Sequence, residues 1–221
     1  MNLEHPAKPF YVFHTCEDKY EYFDFIMEFW AVVTSLFYAI PYFFVRLSHK
    51  KYCPETYIVC KFLVVVSFLS SLYHIYPCTL TQFLDQVGIV VVLYTFINLN
   101  KIPVSNVEKV LTFLFFCLGP VHAFFMACCL ILLFIRLLGF LLKFGIRIKR
   151  IQVLCTIVTL GLAGMFLLAD IFLCQYEVFE HFHSLWHIGT QLGFVFGIVE
   201  MEFFQKNYKD VIPLKNGCLD L

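Results

Sequence analysis

The chain has 221 residues, 61% hydrophobic and 19% aromatic, with 14% charged residues and a formal net charge of zero. Soluble domains average about 45–50% apolar and about 25% charged residues, so the composition excludes an ordinary soluble globule and points to an integral membrane protein. Zero net charge excludes a globally basic nucleic-acid binder.

The opening residues, "MNLEHPAKPF", lack the basic-then-apolar pattern of a cleaved signal peptide. The first apolar span is expected to act as its own membrane signal. A helix crosses a bilayer with about 20 mostly apolar residues. On that basis seven spans are read, at 29–46, 57–76, 83–99, 107–121, 123–143, 153–173 and 183–203. The expected fold is all-α: a polytopic membrane protein, a seven-transmembrane-helix bundle. The fourth span is short and meets "GP" at 119–120, so it reads as tilted or broken, or as one hydrophobic hairpin with the fifth. There is no internal repeat or long linker. The chain divides into an N-terminal segment, 1–28, a membrane domain, 29–203, and a tail, 204–221.

Charge orients the spans. Before the first, Lys8 and Lys19 stand against Glu4, Glu17, Asp18, Glu21, Asp24 and Glu28. Basic residues then gather in alternate connections: Arg46, Lys50 and Lys51; Lys101 and Lys109; Lys143, Arg147, Lys149 and Arg150; and Lys206, Lys209 and Lys215 in the tail. The sixth connection is acidic, with Glu177 and Glu180. Lys and Arg mark the cytosolic side, so the N-terminus is expected outside or in the lumen and the C-terminus in the cytosol.

That topology brings polar residues to one depth. Ser70 and His74 end the second span, Asp85 begins the third, and His183 and His187 begin the last, within "HFHSLWH". Residues four apart share a helix face, which pairs Ser70 with His74 and His183 with His187. Ionisable groups inside a bilayer are costly and mark function. Three imidazoles suit zinc, and three protein ligands leave a position open for chemistry. Asp85 then suits a general base, and Ser70 a donor to a developing oxyanion. Ser71 has a spacing that also allows contact with His74; the four-residue step favours Ser70. Asp170 either pairs with a site residue or faces water. His181 reads as interfacial and His122 as structural.

These residues resemble a superfamily of membrane hydrolases and receptors that includes the alkaline ceramidases and the progestin and adiponectin receptors. The shared pattern is Ser-x3-His, Asp, then His-x3-His, here Ser70–His74, Asp85 and His183–His187. Within it the chain resembles the alkaline ceramidases most, through "QFLDQ", "LWHIG" and "CEDKYEYFDFIMEFW" at 16–30. The resemblance implies zinc held by His74, His183 and His187, with Asp85 positioning and deprotonating the attacking water and Ser70 stabilising the tetrahedral intermediate. It implies hydrolysis of ceramide, a membrane lipid, to a sphingoid base and a fatty acid, in the endoplasmic reticulum or Golgi. Nothing calls for nucleic acid or an obligate protein partner. The resemblance also implies a calcium site in the N-terminal segment, with Glu17 and Glu28 as two of its carboxylates and the backbone of Thr15 as a further ligand. His14 and Lys19 depart from that pattern, as does Ala31 after Glu-Phe-Trp. An ammonium repels a cation that wants oxygen ligands, so Lys19 is expected to replace calcium in part by pairing with Glu17 and Glu28, or else Asp18 or Asp24 to supply the missing oxygens. Alternative functions are a receptor of the related class and a catalytically silent relative; the acidic N-terminal segment and basic tail argue against the receptor.

The chain has ten cysteines. Cys117, Cys128, Cys129 and Cys155 fall inside spans, where cysteine behaves as a small hydrophobe. Cys16, Cys78 and Cys174 fall on the side where disulfides form, and the resemblance implies a Cys16–Cys174 pair. The final Cys218-Leu-Asp-Leu221 has prenylation spacing, with Asp220 where an aliphatic residue is expected.

Overall fold

Pro41 breaks the first apolar stretch without ending it. Proline lacks an N–H, and its ring crowds the carbonyl four residues earlier. The chain answers with a helix, α1 (Phe29–Ser35), a 3-10 turn (Leu36–Ala39) and a second helix, α2 (Ile40–Leu47). Together they make a 19-residue rod, Phe29–Leu47. Four long elements and one shorter one follow: α3 (Pro54–Ile75), α4 (Thr79–Leu99), α5 (Asn106–Leu118), α6 (Ile151–Phe172) and α7 (Phe182–Val211).

This computed structural model describes residues 16–17, 22–99, 105–118, 135, 139, 151–173, 176 and 179–211. Among them the chain is all-helical, apart from an isolated bridge between Phe23 and Ile26. Four segments are long and apolar enough to cross a membrane: Phe29–Leu47, Pro54–Ile75, Thr79–Leu99 and Ile151–Asp170. These correspond to expected spans one, two, three and six. The fourth is a helix over Asn106–Leu118, and the fifth, 123–143, lies outside the described residues except Ile135 and Gly139. The seventh is a helix of 30 residues, α7, but it does not reach the same apolarity. Its polar load explains this: His183, Ser184, His187, Gln191, Glu200 and Glu202 all lie on it and are buried.

Short connections fix which ends meet. Pro77 follows α3, and Thr81 closes the turn into α4 by accepting the Cys78 N–H at 3.0 Å and donating to the Tyr76 carbonyl oxygen at 2.8 Å. The ends of α3 and α4 bearing His74 and Asp85 are therefore neighbours. α6 and α7 pack along each other, and α3 packs on α4 and on the α1–α2 rod. A Cβ on Gly189 would lie 3.0 Å from Ala163 Cβ and 3.3 Å from its Cα, so the absence of a side chain there lets α7 approach the α6 backbone.

The apolar core lies towards the other end of the bundle. Val45, Val59, Leu63, Phe96, Ile198 and Met201 meet there, all buried. At that end Glu202 of α7 caps α3. Its carboxylate accepts the Cys53 N–H at 2.9 Å and the Thr56 hydroxyl at 2.5 Å, and Lys206 pairs with it at 2.8 Å. The N-cap residue Cys53 makes no side-chain cap of its own. A distant helix thus satisfies donors that every helix start leaves open.

Candidate metal centre

Three helix ends deliver three imidazoles. His74 sits in the last turn of α3, and His183 and His187 occupy the first turns of α7. All are buried: His74 and His187 completely, His183 to 8% exposure. Their ring centroids form a nearly equilateral triangle of 4.8, 4.9 and 5.1 Å. One ligand atom from each lies within 4.8 Å of the others.

Each ring is held by its Nδ1. Glu28, just before α1, places a carboxylate oxygen 2.5 Å from His74 Nδ1. Asp170, near the end of α6, lies 2.9 Å from His183 Nδ1. Ser35, the last residue of α1, lies 2.9 Å from His187 Nδ1. A carboxylate only accepts, so His74 and His183 carry the proton on Nδ1. Ser35 donates its hydroxyl hydrogen to the Ala31 carbonyl oxygen at 2.7 Å, so it accepts from His187. The lone pairs are thereby left on Nε2.

This tautomer pattern creates a demand for a cation. His183 Nε2 and His187 Nε2 face each other at 3.1 Å. Two lone pairs at that distance repel unless a positive charge lies between them. Two nitrogens bound tetrahedrally at about 2.0–2.1 Å from one zinc lie about 3.3 Å apart, close to the observed spacing. Outer-shell carboxylates and hydroxyls on ligand histidines fix ring orientation and raise basicity. The residues therefore fit a metal ion of the zinc type.

Asp85 and Ser70 are both buried. Ser70 also lies 3.1 Å from Ser35. Ser70, rather than Ser71, thus joins the polar network. Asp85 Oδ1, Ser71 Oγ and Ser184 Oγ are buried and lack a hydrogen-bond partner among the described residues. Ser71 lies one turn before His74 and Ser184 follows His183, so polar groups with spare capacity flank the triad. Buried polar atoms of this kind await water or a ligand. Tyr38 lines the same region, its ring 5.7 Å from His187.

Glu17 and Glu28, expected as calcium carboxylates, are both buried. Glu17 caps α1: its two oxygens accept the Trp30 and Ala31 N–H groups at 2.5 and 2.9 Å. Glu28 supports His74. Among the described residues they belong to no second group of three metal-ligating side chains. His14, Thr15, Asp18 and Lys19 lie outside the described residues, and Asp24 is exposed. His181 is also exposed, with its ring 6.3 Å from Trp30. His122 and the tail from 212 lie outside the described residues.

Cys16 is disulfide-bonded, and Cys174 lies outside the described residues. Cys78 is free. The Cys16 N–H donates to Asp170 Oδ1 at 2.8 Å, while Asp170 Oδ2 holds His183. Sequence reasoning left Asp170 between a site role and water; it takes the site role.

Ser35 was missed. A lone serine in an apolar span has no spacing signal, although its position six residues before Pro41, at the start of a 3-10 turn, marks an irregular helix where inward polar groups gather. The chain matches no protein-family model and no curated protein sequence.

Proposed function

We propose that the protein is a zinc-dependent amide hydrolase embedded in a membrane, cleaving ceramide to a sphingoid base and a free fatty acid. The observation that carries the reading is the buried triangle of imidazoles, each fixed through Nδ1, with a carboxyl and a hydroxyl beside it.

His74, His183 and His187 would hold the ion through Nε2. When bound there, zinc supplies Lewis acidity and a water whose pKa falls to about 7. Asp85 takes a proton from the attacking water as general base. Ser70 donates its hydroxyl hydrogen to the oxyanion that forms on the substrate carbonyl. Asp85 returns the proton to the departing amine nitrogen as the C–N bond breaks. A site within apolar helices suits a substrate whose acyl chains stay in the bilayer.

In this reading the histidine end of the bundle faces the lumen of the endoplasmic reticulum or Golgi, and α5, α7 and the segment 123–143 join the four apolar helices to complete a seven-span bundle. The clustering of Arg46, Lys50, Lys51 and Lys206 near the opposite end supports the orientation, with Lys206 Nζ 3.3 Å from the Lys51 carbonyl oxygen.

The test is release of sphingosine from ceramide by the purified protein, with bound zinc measured in parallel. Activity abolished by His74→Ala and by Asp85→Ala supports the reading. Ser70→Ala lowers turnover and keeps the metal. Full zinc occupancy with no hydrolysis would defeat it in favour of a silent relative or receptor.

A further inference from the structure

A single oxygen of Ser35 reaches both an imidazole of the triad and the Ser70 hydroxyl. Its Oγ lies 2.9 Å from His187 Nδ1 and 3.1 Å from Ser70 Oγ. Its hydroxyl hydrogen goes to the Ala31 carbonyl oxygen at 2.7 Å, which leaves its lone pairs to accept from the His187 N–H and to face the Ser70 hydroxyl. Three residues from three helices thus meet at one oxygen: Ser35, Ser70 and His187. All three are buried, and Ser35 is wholly so, which keeps bulk water from competing.

We infer that Ser35 is a positioning residue of the metal centre: its oxygen fixes His187 with Nε2 towards the cation and holds Ser70 beside that imidazole. The hold on His187 stands on geometry alone; the effect through Ser70 on turnover rests on the hydrolase reading above. The physics is hydrogen bonding in a low dielectric. A cation on Nε2 would draw electron density from the ring and make the Nδ1–H a stronger donor to Ser35. Ser35 belongs to α1, which contributes no imidazole, so these contacts also tie the first rod to the α7 imidazoles.

The experiment compares wild type, Ser35→Ala and the near-isosteric Ser35→Cys in detergent. Zinc affinity is measured by competition with a chelator, without substrate. Loss of an outer-shell partner lowers metal affinity by about 10–100-fold, and Ser35→Ala is expected in that range, with Ser35→Cys between it and wild type. Should the alanine variant fail to fold, the cysteine variant decides. Wild-type affinity in the folded variants overturns the role at His187. The second arm reads turnover on ceramide at saturating zinc. Ser35→Ala is expected to lower kcat with KM little changed, and to add no further loss in a Ser70→Ala background. Independent, multiplicative losses overturn the link through Ser70. If loaded wild type hydrolyses no ceramide, the hydrolase reading fails, while the affinity arm still judges Ser35.

Discussion

Glu28 grips His74 twice: its carboxylate lies 2.5 Å from the ring Nδ1, and its backbone N–H donates to the His74 carbonyl oxygen at 3.2 Å. The side-chain bond sets the ring; the backbone bond ties the start of α1 to the end of α3. Replacing the carboxylate therefore loosens the ring while leaving the helices joined. Glu28→Gln is expected to weaken zinc binding about tenfold and Glu28→Ala up to about a hundredfold. Chelator competition on the purified variants checks this; an alanine variant with unchanged affinity would remove Glu28 from the metal centre.

Asp170 divides its oxygens between His183 and the backbone of disulfide-bonded Cys16. Opening the disulfide releases the segment that satisfies Oδ1, and the carboxylate then has freedom to leave His183. Reduced protein and Cys16→Ser are expected to lose zinc more readily than the oxidised wild type. Asp170→Asn is expected to do so by about 10–100-fold regardless of redox state. Zinc release followed with a colorimetric chelator, before and after reductant, measures both. Identical release rates in oxidised and reduced wild type would sever the disulfide from the metal.

Gly189 lies against the backbone of Ala163, whereas Gly193 lies against the side chain of Leu160, whose Cδ2 would stand 2.4 Å from an added Cβ. A leucine side chain can rotate away; a helix backbone cannot. Gly189→Val is therefore expected to cost about 1–3 kcal/mol through overpacking, and Gly193→Ala less. Equilibrium unfolding in mixed micelles gives the order. The reverse order would mean that α6 yields more easily than Leu160.

Glu202 caps α3 at the far end from the metal. Some 18 residues separate Thr56 from His74 on one helix, roughly 27 Å at 1.5 Å per residue. Glu202→Ala leaves the Cys53 N–H and the Thr56 hydroxyl without their acceptor, a loss of about 1–3 kcal/mol. Stability is expected to fall while zinc affinity holds. Thermal unfolding paired with chelator titration separates the two effects, and a parallel fall in affinity would show that the ends of the bundle are not independent.

The clustered imidazoles were legible because their signal is local: an imidazole four residues from another, or from a serine, on an apolar helix. Alternation of spans then brought His74, Asp85, His183 and His187 to one end, where the structure has them. The supporting residues were legible only in part. Asp170 was visible as an intramembrane carboxylate without a named partner. Glu28 was noticed as a carboxylate, but its tie to His74 was not, because charge type does not say which group it faces. Ser35 and Glu202 carry no periodic signal; their partners lie 152 and 149 residues away in sequence. For Glu202 a signal did exist: the helix start at Cys53-Pro54 has no local cap, so some other chain segment had to supply one. The seventh expected span is a helix but less apolar than the four long apolar ones, because the polar residues that build the site lie on it.

That last conflict bears on biogenesis. The element donating two of the three imidazoles is, among the described helices of 18 residues or more, the one least suited to partition into lipid unaided. During synthesis it follows the helices that offer Asp170, Ser35 and the Ala163 surface as a receiving cradle. Insertion of this segment and assembly of the imidazole cluster would thereby become one event, and a chain that fails to build the cluster would leave α7 stranded outside the hydrocarbon.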